Sequence, residues 1–492
     1  MDPRTPVVVG VGQVTNRRER IVDPMSLMEE ATRLADADAG GRTLDRIGSV
    51  QVLSVVSRRY TTSATTLAGR VGVPEGERLT TTVGGSTPQW LVCLAADRIA
   101  AGEIDGVLIV GAEALDSARR AAKQGIPLEP VGASEANEDQ VMGDDRSPVN
   151  EAEIRAGIVA PASIYPMFEQ ALASRDGRTP DEQRVWLGEL MAPFTKVAAT
   201  HPEHAWFPGV RTPDEISGIT PDNRMIAEPY TKNLNAILQV DMGAAVIVLS
   251  AEAAEAAGVP KDKWVFPWSG AKCDDVYITA QRPDLTRAVG LGVAARASFD
   301  AAGIGVDDVT HFDFYSCFPS AVQMGAEAVG VALDDPRGLT VTGGLPFFGG
   351  PGNNYMTHSI ACMTEALRSG GIGIVTGISW YMSKHSFGVY SSEPPPNGWR
   401  FADTTEAQRR IDGTALEVAT DGDGAAVIEA FTVEHDREAG PVRAPAYARL
   451  PDGRRVVAAP AQRSIAKELS GRSIVGEKVH VRSGEGGTVY EI

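Results

Sequence analysis

The stretch Thr80–Leu115, TTTVGGSTPQWLVCLAADRIAAGEIDGVLIVGAEAL, reads as strand, sharp turn, helix and strand. The strand from Leu79 to Val83 stops at Gly84-Gly85. A helix then opens through Ser86-Thr87-Pro88, where Ser86 can cap and Pro88 suits an early helical position. It ends at Gly102, and Gly106-Val107-Leu108-Ile109-Val110-Gly111 follows as an apolar run bounded by glycines, the pattern of a strand buried on both faces. In many α/β enzymes such an elbow lifts a nucleophile onto a helix N-terminus, where backbone N–H groups and the helix dipole stabilise its anion. Here the apex carries two glycines and a serine. The scaffold for nucleophilic catalysis is present without its usual nucleophile.

Upstream, a strand at Val7 to Val11, an amphipathic helix from Pro24 to Ala35, a strand at Ile47 to Val56 and a helical segment at Thr61 to Val71 predict a sheet covered by helices. Downstream the regularity fails between residues 116 and 235. Helical runs there (Pro161 to Arg175, Asp181 to His201) sit among charged and proline-rich pieces, as expected of an excursion that builds a lid or binding surface. Its Tyr165, Met167, Phe168, Trp206 and Phe207 could line a pocket for an apolar tail, but a self-packing mini-core is the ordinary use of such residues.

Regular α/β order then resumes. A strand at Met242 to Ser250, helices at Leu285 to Ala302, Pro319 to Val329 and Asn354 to Ser369, and strands at His311 to Phe314, Gly373 to Gly377 and Phe387 to Ser391 are predicted. The second half repeats the first. A glycine-rich turn, Gly343-Gly-Leu-Pro-Phe-Phe-Gly-Gly-Pro351, precedes a long helix that ends at Gly370-Gly371 before an apolar strand. Two such halves with one insertion would bring two helix N-termini together.

Beyond Ser391, Glu393-Pro-Pro-Pro-Asn-Gly398 is a linker, since three prolines remove donors and forbid helix. Residues 400–492 alternate apolar and polar in short runs, including Ala415 to Ala419, with turns at Asp421-Gly-Asp-Gly and Pro451-Asp-Gly and one helix at Ala461 to Leu469. The pattern predicts a small OB-type barrel. Binding single strands of nucleic acid needs a basic groove with exposed aromatics. From residue 401 onward acidic residues number 15 against 12 basic ones, and Phe431, Tyr447 and Tyr490 read as core. A cover for the active-site entrance, or a protein-docking domain, fits better.

The whole chain carries a formal net charge of −18, which argues against unspecific binding to nucleic acid or anionic membrane. No apolar run reaches membrane-spanning length, and the N-terminus enters a strand without a signal-peptide pattern, so the expected location is the cytoplasm. Four scattered cysteines and seven histidines without ligand spacing give no reason to expect a metal or disulfide framework.

Residues 1 to about 390 resemble the thiolase superfamily, nearest its thiolase-like and sterol-carrier-protein-type branch. The resemblance rests on the elbow with IAAGEIDGVLIVGAE, on DMGAAVIVLS closing the first half, on Tyr315-Ser-Cys-Phe-Pro, on Gly349-Gly350-Pro351 and on Val375-Thr-Gly377. It implies a duplicated five-layer α-β-α-β-α fold with a loop domain, and CoA or acyl-CoA thioesters as ligands without a covalently bound cofactor. The barrel lies outside it. The expected domains are 1–115 with 236–260, a loop domain at 116–235, a second half at 261–392 and the barrel at 400–492.

By the same resemblance the family's acyl-accepting cysteine falls on Gly85, its oxyanion-hole histidine on Gly350 and its acid/base cysteine on Val375. Glycine and valine offer neither nucleophile nor titratable proton, so ordinary thiolase turnover should be absent. Ser86, Tyr315, Cys317, Tyr355, His358 and His385 are the remaining catalytic candidates. Each has a plain structural alternative: a cap for Ser86, inert burial for Cys317, satisfied structural roles for the histidines. Gly85, Ser86, Tyr315, Phe318, Gly350 and Pro351 are the candidate substrate-binding positions. Tyr315 and Tyr355, in the two catalytic loops, suggest another chemistry, because some thiolase-like proteins are aldol lyases that move protons with tyrosines. Three functions stay open: a thioester-binding protein without thiolase activity, an acyl-CoA enzyme (acyltransferase or aldol lyase of lipid or steroid side-chain metabolism), and a scaffold. Thiolases are dimers or tetramers that associate near the elbow. A barrel folded over that face would make this chain a monomer or a weak oligomer.

Overall fold

A computed structural model describes residues 1–127 and 139–492. The strands, in chain order, are β1 (Pro6–Thr15), β2 (Ser49–Val52), β3 (Glu77–Thr81), β4 (Gly106–Ala114), β5 (Gln140–Met142), β6 (Met225–Ala227), β7 (Tyr230–Thr231), β8 (Asp241–Ser250), β9 (Phe266–Asp274), β10 (His311–Asp313), β11 (Ile372–Ser379), β12 (Lys384–Ser391), β13 (Arg400–Phe401), β14 (Gly424–Phe431), β15 (Glu434–Asp436), β16 (Gly440–Arg443), β17 (Ala446–Arg449), β18 (Arg455–Pro460), β19 (Lys478–Gly484) and β20 (Gly487–Glu491).

The first half forms a sheet in the order β1-β8-β4-β2-β3-β5 and the second a sheet in the order β10-β11-β12-β9-β13. Every residue of β4 and β8 is buried, which is why both read as apolar runs, 106–112 in β4 and 242–249 in β8. The elbow helix Thr87–Ala100 packs against β4 and β8 of one sheet and β9, β11 and β12 of the other. Helix Tyr355–Leu367 is likewise shared, touching β1 and β8 on one side and β11 and β12 on the other. Helix Pro24–Asp38 covers the outside of the first sheet and Val289–Ala302 the outside of the second. The result is the duplicated five-layer α-β-α-β-α thiolase fold.

Three sequence expectations are corrected here. The aromatic residues of the insertion build no core of their own: Tyr165, Met167, Phe168 and Trp206 are buried within one continuous cluster that includes Phe312, Phe314 and Phe318 of the second half, and Phe207 stays exposed. Ala415–Ala419 is no strand, making only an isolated bridge at Val418–Arg455. A helix, Thr405–Asp412, stands before the barrel where the sequence reading placed no element, its apolar positions being only Ala407 and Ile411.

The barrel closes in the order β14-β17-β18-β20-β19, that is first-second-third-fifth-fourth strand, with helix Ser464–Leu469 between third and fourth. Phe431, Tyr447 and Tyr490 are buried as expected. Between its first two strands the hairpin β15-β16 leaves the barrel and joins β6 and β7 of the insertion in one four-stranded sheet. The barrel therefore docks on the insertion. The outer edge of β3 is covered instead by β5, paired in parallel from Leu79–Gln140 to Thr81–Met142. Asp139 holds that strap by accepting from Ala64 N, Thr65 N and Thr65 Oγ1 at the start of helix Ser63–Val71 (2.7, 3.1 and 2.7 Å). Among the described residues no helix is long and apolar enough to cross a membrane.

Candidate active site at the elbow

The two central helices meet N-terminus to N-terminus, as the repeat of halves predicts. Asn353, just before helix Tyr355–Leu367, accepts from Gly84 N through Oδ1 (2.8 Å) and donates through Nδ2 to Ser54 O (2.7 Å). Ser86 does not cap the elbow helix. Its backbone is already helical (φ −81°, ψ −9°), so its hydroxyl cannot turn back to the free N–H groups. It pairs instead with Ser379 Oγ (2.5 Å), which also accepts from Ser86 N (2.9 Å), and Ser386 Oγ donates to Ser86 O (2.8 Å).

Gly85 is buried, and no side chain fits there: an added Cβ would overlap Tyr315 Oη and stand 2.6 Å from Ile378 O. The phenol of Tyr315 thus occupies the space a nucleophile at position 85 would need. Its ring meets that of Tyr355 edge to face at 5.3 Å. Tyr355 Oη lies 2.6 Å from Thr342 Oγ1, which donates to Asp313 Oδ1 (3.1 Å), so Tyr355 donates to Thr342. Asp313 also accepts from Ser359 Oγ (2.6 Å), Thr340 Oγ1 (2.7 Å) and Val341 N (3.0 Å). Burial still raises its carboxyl pKa.

On the other side, Phe318 stacks on Tyr165 (4.4 Å) and Tyr230 (5.8 Å), so it is wall and not solvent-facing surface. Cys317 is buried beside Tyr165, and burial pushes its thiol up to about 12. Burial also raises the phenols of Tyr165, Tyr315 and Tyr355. At neutral pH these groups are uncharged and unsuited to nucleophilic attack; Tyr165 and Tyr355 already donate within the protein, which leaves the Tyr315 phenol to donate to a carbonyl oxygen.

The other candidates lie apart from the elbow. Gly350 donates its N–H to Ile237 O (2.8 Å), and Pro351 leads into the short turn Gly352–Asn354. Val375 is buried in mid-β11, opposite Asp313 and Gly388. His358, in the first turn of its helix, bonds Gln13 Oε1 through Nδ1 (2.8 Å), and burial drives its pKa down to about 3. His385 stands inside β12 and not in the loop expected from sequence; its Nε2 reaches Asp275 Oδ2 (2.8 Å) and Met382 O (3.0 Å).

Sequence reasoning missed Asn353, Ser379, Thr342 and Asp313, and it named Tyr165 only among the aromatic residues of the insertion. It also missed the turn Trp380–Ser383, where Trp380 (φ 54°) and Met382 (φ 57°) adopt the left-handed conformation that non-glycine residues avoid. Tyr165 Oη holds that turn by donating to Trp380 O (2.9 Å) and accepting from Met382 N (3.3 Å). The Ser-Trp-Tyr-Met sequence between two strands was the available signal. Among the described residues no cluster of His, Cys, Asp and Glu could hold a metal ion.

Residues 407–486 match the family model "Thiolase-like protein type 1 additional C-terminal domain". The whole chain is similar to the crystal structure of a monomeric SCP2-thiolase like protein type 1 from Mycobacterium smegmatis, at 34% identity, 100% coverage of both chains and a TM-score of 0.85. The chain belongs to the SCP2-thiolase-like protein type 1 family. Its fold is shared more distantly with an Ltp2-ChsH2(DUF35) aldolase (19% identity, 79% of this chain, 98% of that one, TM-score 0.59). It is shared also with the dimeric peroxisomal thiolase of Saccharomyces cerevisiae (15%, 80%, 98%, TM-score 0.56). No curated protein matches the sequence.

Proposed function

We propose that this protein binds CoA thioesters at the elbow and is not a thiolase. The observation that carries the reading is the phenol of Tyr315 over Gly85: the position that the resemblance assigns to the acyl-accepting cysteine has neither a nucleophile nor room for one. Gly350 and Val375 supply no oxyanion-hole histidine and no base. What remains is a buried apex walled by neutral donors, which can hold a thioester carbonyl without cleaving it. Purified protein should bind CoA or acyl-CoA esters in calorimetry and give no saturable cleavage of acetoacetyl-CoA. Clear turnover would end this reading.

A second reading is favoured by one feature, the hydroxyl line from Tyr355 through Thr342 to Asp313, with the Tyr315 ring edge to face against Tyr355. A neutral phenol backed by a hydroxyl chain can pass a proton to or from a substrate oxygen, as an aldol lyase requires. Comparing Tyr355→Phe and Tyr315→Phe on 3-hydroxyacyl-CoA and steroid-derived CoA esters separates lyase from simple binder. A scaffold without any thioester ligand would show no heat with either.

The division at 116, 236 and 261 is kept, with the last boundary moved from 400 to beyond β13, which pairs with β9 of the second half, for a cytoplasmic, monomeric protein whose barrel can dock a protein partner. The cover over β3 supports the monomer, since that edge cannot pair with a second copy while β5 occupies it. Light scattering should give a mass near 52 kDa.

A further inference from the structure

Arg282 is 2% exposed, yet both hydrogen bonds recorded for its guanidinium go to neutral oxygens, from Nε to Val276 O and from Nη2 to Ser383 Oγ (3.0 Å each). Its Nη1 is buried and has no partner among the described residues. Asp275 and Glu153 are near enough to favour its charge, but their oxygens serve other groups: Asp275 bonds Val289 N and His385, and Glu153 bonds Asn150 N, Ala280 N and Tyr447. A buried cation without a carboxylate of its own is costly, and native proteins place one where something must meet it.

Its surroundings repeat the pattern. Thr279 Oγ1, in the turn that precedes Arg282, and Trp380 Nε1, in the strained turn whose Ser383 bonds Arg282, are also buried and unpartnered. On the elbow side, helix Pro161–Arg175 joins the two places. Tyr165 lies against Phe318 and Cys317 at the site and against Phe168 on its far side (5.8 Å, edge to face), and the Arg282 guanidinium sits 5.6 Å over the Phe168 ring. Packed aromatic side chains therefore run from the apex past Tyr165 and Phe168 to a buried guanidinium with one unpartnered nitrogen. Few free donors along an aromatic wall suit a planar carboxylate better than a phosphate dianion, whose oxygens would need more partners.

We propose that Arg282 is a specificity residue for acyl-CoA esters whose acyl chain ends in a second, free carboxylate. The inference rests on the thioester reading above and names the substrate class for that site.

The test is calorimetric titration of the full chain with chain-matched pairs: succinyl- against butyryl-CoA, glutaryl- against pentanoyl-CoA, adipyl- against hexanoyl-CoA. At least one carboxylated ester should bind ~10-fold tighter than its uncharged partner, the order expected for one charge-assisted hydrogen bond. In Arg282→Met that preference should shrink to within ~2-fold, while Arg282→Lys should retain part of it. Equal affinity within every pair, or a preference that survives in Arg282→Met, overturns the proposal and leaves thioester binding standing. Absence of binding by all six esters removes the thioester reading and this inference with it. Should Arg282→Met fail to fold, the wild-type pairs and Arg282→Lys decide in the same way.

Discussion

The elbow and the seam that holds the barrel use polar groups in opposite ways. At the elbow, Ser86 bonds Ser379, Tyr355 bonds Thr342 and Asn353 bonds the Gly84 backbone, and among the described residues no ionised side chain bonds Gly84, Gly85 or Ser86. At the seam, charged groups are buried to fasten two parts of the chain. Arg455, fully buried, donates from Nη1 to Ala280 O (3.1 Å) and Arg282 O (2.6 Å) and from Nε to Glu429 Oε2 (2.7 Å). Glu153 accepts from Tyr447 Oη (2.8 Å), and Glu228 accepts from His435 Nε2, Ser470 Oγ and Gly471 N (2.8, 2.6 and 2.8 Å). The barrel is thus fixed with the specificity of a domain core, whereas the apex is sealed with small neutral groups. The contrast teaches that this chain keeps the fold's architecture by burying charge at the seam, while its elbow, where we propose that thiolase chemistry is absent, is closed by neutral groups.

The seam should give the largest effect. Arg455→Ala strands the buried carbonyls of Ala280 and Arg282 and takes from Glu429 one of its two arginine partners, Arg449 being the other, so it should cost about 3 kcal/mol. Urea denaturation measures it. A loss under about 0.5 kcal/mol would make the barrel a loosely attached appendage and erase the contrast.

The elbow should answer to shape and not to charge. Gly85→Cys alone forces a side chain into Tyr315 and should cost about 1–3 kcal/mol, as overpacking does. Tyr315→Ala opens a cavity at a cost of about 3 kcal/mol. The double variant should be more stable than the sum of the two losses by about 1–2 kcal/mol, because the new Cβ fills part of the space that the phenol vacates. Strict additivity in the thermodynamic cycle would show that the phenol does not compete for position 85.

Titration separates the regions again. Burial raises the pKa of Glu153, so the native state holds its proton over a pH range in which the unfolded chain has released it. Its contribution is complete below the unfolded value, about 4.3, and declines as pH rises toward the folded value, by up to about 1.4 kcal/mol per pH unit. Glu153→Gln keeps the capping geometry and cannot titrate, so its stability should fall less steeply over that interval. Parallel curves for wild type and variant would remove Glu153 from the account.

How much of this was legible beforehand follows from how local each signal is. Gly84-Gly85, the run Gly106–Gly111 and the strand Asp241–Ser250 announce themselves within ten residues, because a tight turn or a strand buried on both faces restricts every position in it. Glycine at 85 was readable as a missing nucleophile. That Tyr315 fills the gap was not, since the two are 230 residues apart. Asn353 to Gly84 and Ser379 to Ser86 span 269 and 293 residues, and no local pattern encodes them. Ser86 itself was misread because its type favours capping, whereas a tertiary partner, Ser379, set its role. The hairpin β15-β16 escaped notice because its pairing partner, β6, lies in the insertion.

The smallest expected effect is the sharpest. Tyr315→Phe keeps the ring against Tyr355 and removes one hydroxyl, for which the described residues record no hydrogen-bond partner. Stability should therefore change by less than about 0.5 kcal/mol, unlike the loss expected when a bonded buried hydroxyl is deleted. If that hydroxyl serves a ligand carbonyl, the variant should bind acyl-CoA esters about 5–10-fold more weakly, equivalent to roughly 1–1.4 kcal/mol, and free CoA as well as before, because free CoA has no thioester carbonyl to offer. Equal losses for ester and free CoA would place the phenol against the pantetheine or nucleotide portion. No loss for either would leave Tyr315 as a plug, a group that excludes a side chain at position 85 and touches no ligand.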